Sequence, residues 1–210
     1  RAKFALLEGK PDLARAALTE GQEYAPTSHL ITYYWCQVEL YAGDYKAALE
    51  RLASHPSEAF EWQWFFVPKA LLQAQALTLM GQSEPARRHY DSARIMLEDR
   101  IRAQPEDDRY YGSLGVAYAR LGRKKEAIEA GRKGMELMPL SMEAWRATYR
   151  IEDMAHIYTM VGEYEEAVKK LDFLLSVPAE VSVAGLLNDP TWEPLRNHPG
   201  FQQLIRQHSR

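Results

Sequence analysis

Cysteine is almost missing from this sequence: Cys36 is the only one in 210 residues. No intramolecular disulfide can form, which fits a reducing compartment and leads to the expectation of a cytoplasmic protein. Long apolar runs are missing too. None approaches the roughly 20 residues that span a bilayer, and no signal peptide is visible. An excess of one charge is also lacking: 26 Lys and Arg face 29 Asp and Glu, for a net charge of -3. That balance leaves no electrostatic footprint for nucleic acid or for an anionic membrane, so neither partner is expected. β signals are scarce, because no run alternates valine, isoleucine or threonine between turns.

Catalytic motifs are absent as well. There is no G-x-S-x-G, no Walker loop and no G-x-G-x-x-G after a strand. The six histidines are scattered, and none forms H-E-x-x-H. The nearest approach to a metal site is Glu152, Asp153 and His156, with Glu152 and His156 four apart on one helix face. An ordinary helix face explains these three better, so neither metal nor cofactor is expected, and the chain reads as non-enzymatic. The chain opens at Arg1 with RAKFALLEGK, not with Met, and reads as a piece of a longer protein that starts inside a helix.

What is present is a repeat. Gly9, Gly43, Gly81, Gly122 and Gly162 lie 34, 38, 41 and 40 residues apart. Each ends an apolar segment of helical period and is followed five places on by alanine: Ala14, Ala48, Ala86, Ala127 and Ala167. Glycine suits the turn that closes a first helix, and alanine lets the second helix approach it closely. Prolines and acids in YAPTSH (24–29), AQPEDD (103–108) and MPLSME (138–143) end one hairpin and cap the next. Stacked helical hairpins, an all-α solenoid, follow from this pattern. Intervals of 38 to 41 should lengthen helices at 83–104 and 141–161.

The stretch YYGSLGVAYARLGRKKEAIEAGRKGMELMP (110–139) resembles a tetratricopeptide repeat through Tyr111, Leu114, Gly115, Tyr118, Gly122, Ala127 and Pro139. The stretch 148–178 is similar through Ala155, Tyr158, Gly162, Tyr164, Ala167 and Pro178, and 41–52 through YAGDYKAALERL. Gly131 and Gly134 depart from the pattern and should let the next repeat pack unusually close. The resemblance implies a TPR superhelix of about four and a half repeats over 1–177, with a C-terminal helical cap over 178–210. It also implies a function: capture of a protein or peptide on a concave groove. The groove positions it points to are Tyr33, Gln37 and Tyr41, then Leu71, Gln75 and Thr78, then Arg109, Val116 and Arg120, and finally Glu152, His156 and Thr159. The lysine and asparagine set that clamps a chaperone's C-terminal carboxylate in some relatives is not matched, since Tyr33, Gln37 and Leu72 stand in those places.

Three other stretches have bland readings. EAFEWQWFFVPKA (58–70) packs Phe60, Trp62, Trp64, Phe65 and Phe66 into seven residues. It is expected to form a long first helix that buries most rings and leaves one or two for a groove or partner. Arg123, Lys124, Lys125, Arg132 and Lys133 are interleaved with glutamates and read as an exposed helix face. Glu106-Asp107-Asp108 and Glu163-Glu165-Glu166 sit where acids complement a helix dipole.

The end of the chain, NDPTWEPLRNHPGF (188–201), breaks the rhythm. Its Trp192, Leu195 and Phe201 can cover the apolar face that a last hairpin exposes. This ending is similar to the C-terminal ends of TPR regions in many bacterial signalling proteins, which follow kinase, adenylate cyclase or winged-helix regulator domains. That resemblance runs over about 110–208 and implies an interaction region attached to such a domain. Self-association into a homodimer through apolar surface at the N-terminus or at 60–66 is the alternative.

Overall fold

The computed structural model describes residues 1–25 and 28–209, so the proline and threonine of YAPTSH lie outside the described residues. Ten helices pair in order: α1 (Ala2–Leu7) with α2 (Pro11–Tyr24), α3 (His29–Tyr41) with α4 (Tyr45–Ser54), and α5 (Lys69–Leu79) with α6 (Ser83–Ala103). The pairs α7 (Asp108–Arg120) with α8 (Lys124–Leu137) and α9 (Ala144–Met160) with α10 (Tyr164–Ser176) complete the stack. Each pair packs on the next. The five turn glycines have φ between 69° and 80°, the left-handed region where a side chain is penalised. The alanines five places on are 0–3% exposed, so each marks a close crossing of its own hairpin. Side chains start several helices: Ser28, Asp44 and Asp107 accept backbone N–H groups of Ile31, Ala47 and Arg109.

The extra length of the intervals is spent in two ways. As expected from the sequence, α6 and α9 are long, at 21 and 17 residues. The Gly43–Gly81 interval instead holds a β-hairpin, which corrects the reading of 58–70 as a helix. β1 (Ala59–Trp62) pairs antiparallel with β2 (Phe65–Pro68), and Phe60 faces Val67. β-rich aromatic residues ending in a proline favour strands over a helix interior. Phe60 and Phe66 are buried, and Trp62 at the tip is 45% exposed.

After α10 come α11 (Val183–Asn188), a 3-10 helix over Pro190–Leu195 and α12 (Pro199–His208). Trp192, Leu195, Phe201 and Leu204 join the core formed by α9 and α10. The tail does more than cover that hairpin, because α11 also packs against α1. The Ser182 hydroxyl donates to the Leu7 carbonyl and also caps α11. A Cβ on Gly9 would lie 2.8 Å from the Asn188 amide. The superhelix therefore closes on itself.

Close approach between helices is built with glycine in the repeat 110–139. A Cβ at Gly131 would lie 2.6 Å from Met154 Sδ, and one at Gly112 only 2.0 Å from Asp153 Oδ2. Gly112→Ala should thus lower stability by about 1–3 kcal/mol despite alanine's better helix propensity, because α9 must retreat. Urea unfolding of the variant measures this; a gain in stability would show that α7 and α9 are less tightly joined.

Candidate functional site

Closure turns the concave face into a chamber of about 260 Å³. Its wall is built from the inward sides of the first helices and from both ends of the chain. Tyr33, Gln37 and Tyr41 of α3, Leu71 and Gln75 of α5, Arg109, Val116 and Arg120 of α7, and Glu152 and His156 of α9 all line it. Thr78 and Thr159 do not. Thr78 bonds the Ala74 carbonyl and the Tyr90 hydroxyl, and Thr159 is buried on the Ala155 carbonyl. Both hydroxyls instead bond a carbonyl of their own helix four residues back.

Residues that the repeat pattern does not mark complete the wall. Lys3 comes from α1, Phe65, Phe66 and Val67 from the hairpin, and Glu180, Asp189 and Thr191 from the tail. Glu180 is the joint. It pairs with Lys3 and accepts the Tyr149 hydroxyl, so it ties α1, α9 and the tail together. The Lys3 ammonium also lies 5.0 Å from the centre of the Tyr149 ring. His156 stacks on Trp192 at 4.0 Å, so the tail supports the wall from behind. No local pattern in the sequence could have shown these contacts, which join residues far apart in the chain.

The charges in the wall fall into two groups. Arg109 and Arg150 are committed. Arg109 is held by Asp107 at 2.7 Å and Arg150 by Asp108 at 3.3 Å, with Arg146 at 2.6 Å on the same buried carboxylate. Asp108 is thus the centre of a buried ion network and not only a complement to a helix dipole, which extends the sequence reading of 106–108. Arg120, Gln37 and Gln75 are uncommitted: among the described residues their side chains have no hydrogen-bond or ion-pair partner, and Arg120 Nε is buried without one. Glu152 is strained electrically. Burial raises its carboxyl to about 7 against the pull of Lys3, and Asp153 and Asp189 push further. Burial, with Arg120 nearby, lowers His156 to about 4, so its ring is neutral at pH 7.

Among the described residues, no group of three or more His, Cys, Asp or Glu is placed to hold a metal. The basic stretch is laced with ion pairs, Arg123 to Glu126, Lys124 to Glu163, Lys125 to Glu129 and Lys133 to Glu136, and forms an exposed helix face. No described helix is long and apolar enough to cross a membrane.

No family model matches the chain. Two curated proteins are similar to it. Superkiller protein 3 of Schizosaccharomyces pombe is 28% identical over 187 residues, which is 81% of this chain and 13% of that protein. The E3 ubiquitin-protein ligase TTC3 of Rattus norvegicus is 23% identical over 177 residues, 83% of this chain and 8% of that protein. The chain thus spans only a small part of either relative. Among solved structures, TTC0263, a thermophilic TPR protein of Thermus thermophilus, superposes with a TM-score of 0.54 at 16% identity, covering 96% of this chain and 90% of that one. The fold is an all-α TPR solenoid.

The raised Glu152 carboxyl makes a pH prediction. A folded value near 7 lies above the unfolded value of about 4.3, so wild-type stability falls as pH rises between them and is level above. Glu152→Gln removes that loss. The variant's stability advantage over wild type should be larger at pH 8 than at pH 5 by urea unfolding. An equal difference at both values would place Glu152 in water.

Proposed function

We propose that this chain is a non-catalytic protein-interaction module that captures a peptide or a segment of a protein in the chamber. A TPR solenoid supports a protein–protein interaction module in general. One observation carries the specific reading: side chains from four successive first helices converge on one chamber, and Gln37, Gln75 and Arg120 stand in it with unspent hydrogen-bonding capacity. Donors left unpaired in a partly dry site gain from a ligand that pairs them. The aromatic hydroxyls of Tyr33 and Tyr41 add apolar area with a polar end, the combination that anchors peptide partners.

The proposed organisation is an array over 1–177 and a cap over 178–210, with the cap also serving as one wall of the binding site. A cytoplasmic setting suits the lone cysteine, which is fully buried. Attachment to a bacterial signalling domain rests on the tail motif alone, since the curated relatives come from yeast and rat. The tail would then be well placed to transmit occupancy to such a domain, because Asp189 and Thr191 line the chamber beside Trp192, which packs in the core of α9 and α10.

A random-peptide display library selected on the immobilised chain tests the reading. Enriched peptides should bind the Gln75→Ala, Arg120→Ala double variant about tenfold more weakly than wild type, a loss of about 1.4 kcal/mol. Circular dichroism should show unchanged helix content. Failure to enrich any peptide, or equal binding to both proteins, would overturn it.

A further inference from the structure

The charges that line the chamber do not cancel. Lys3 is paired with Glu180, Arg109 with Asp107, and Arg150 with Asp108 and, at 3.1 Å, with Asp153. Glu152 is left over: among the described residues its carboxyl has no hydrogen-bond or ion-pair partner. Asp189 on the same wall receives only neutral donors, from Thr191 and Tyr41. Arg120 is uncommitted, and its charge acts on His156, one turn further along α9.

Aromatic rings share the space with this carboxylate. Tyr33, Tyr41 and Tyr149 all line the chamber. Burial raises the phenol of each, and the Glu152 charge raises each further, so all three lie within its field and stay neutral at pH 7. One ring already has a cation near it: the Lys3 ammonium is 5.0 Å from the centre of Tyr149. An unpaired carboxylate and neutral, electron-rich rings in one enclosed space are the groups that hold an organic cation. The chamber is about 260 Å³, below the roughly 300 Å³ at which ligand pockets usually start, so it suits one side chain or one chain end.

We propose that the chamber takes an alkylammonium group of the partner, from a lysine side chain or a free N-terminus, with Glu152 as its counter-ion and the tyrosine rings around it. This inference rests on the chamber reading above and names the chemistry of the group that enters. Without a ligand, Glu152 relieves its burial by binding a proton, and its carboxyl is pushed up to about 7. A bound ammonium offsets the same burial with a charge. Lys3 is the cation that lowers Glu152 most, yet its ammonium is spent on Glu180. Gln37, Gln75 and Arg120 remain to pair the carbonyls of the residue that carries the ammonium.

Three small amides test this. Nα-acetyl-lysinamide carries a side-chain ammonium, norleucinamide an α-ammonium, and Nα-acetyl-norleucinamide neither. Each is titrated into the chain and followed by NMR at about pH 7.5, where an α-amino group is still largely protonated. At least one ammonium probe should bind about tenfold tighter than the neutral one, and which of them does so names the source of the group. In Glu152→Gln, which removes the buried charge and keeps the side chain's shape, all three should bind alike. A neutral probe that binds wild type as tightly as the ammonium probes would overturn the inference. So would no binding of either ammonium probe, or an ammonium preference that survives in Glu152→Gln. Library-selected peptides that still depend on Gln75 and Arg120 would in that case leave the chamber reading intact.

Discussion

The Glu180 carboxylate is the contact on which the rest of the arrangement depends. It meets Lys3 from the first helix and Tyr149 from the ninth, at the point where the tail leaves the array. A helical-repeat solenoid normally has two free ends and an open concave side. Here the ends are brought together, and Ser182 fixes the meeting with a bond to the Leu7 carbonyl and a cap on α11. Burial in the chamber wall displaces Glu152 and His156 from their ordinary ionisation, acting on an acid and a base in opposite directions.

The hairpin is the second constraint, and it acts from inside. Four of its five rings are packed: Phe60 against the α3–α4 core, Phe66 against Tyr110, Phe65 on Tyr33 and Trp64 on Tyr149. The buried Asp108 network stands directly behind it. One carboxylate organises Arg146 and Arg150, and Arg150 in turn reaches the hairpin. The network therefore couples the packing of α7 on α9 to the position of the tip. Gly112 makes that packing possible, because any larger residue would meet Asp153. The position of the hairpin and the packing of α7 on α9 share the same few residues.

Much of this was readable in the sequence because it follows local rules. A glycine with positive φ must end each first helix, and a small residue must sit five places on, so the two recur together and reveal the hairpins. Groove positions near the middle of each first helix could also be placed by counting. Thr78 and Thr159 lie off the chamber wall, with their hydroxyls bonded to carbonyls of their own helices. The β-hairpin was hidden for a different reason. Its turn, Gln63-Trp64, contains neither glycine nor asparagine, and among the described residues no non-glycine has positive φ, so the usual hairpin signal is missing. β2 is apolar on both faces, because one packs in the core and the other lines the chamber, which erases the alternation that marks a strand. The closure was beyond any local pattern: Lys3 and Glu180 know of each other only through the summed curvature of five hairpins.

Closure can be measured directly. Cys36 is fully buried and its thiol is pushed up to about 12, so spin labels would attach at cysteines introduced at the exposed positions Glu8 and Leu187 and leave it untouched. These positions flank the contact between α1 and α11. Dipolar spectroscopy on the doubly labelled chain should give one short, narrow distance distribution that broadens in Glu180→Ala. A long or broad distribution in the otherwise unmodified chain would show an open solenoid and contradict the chamber.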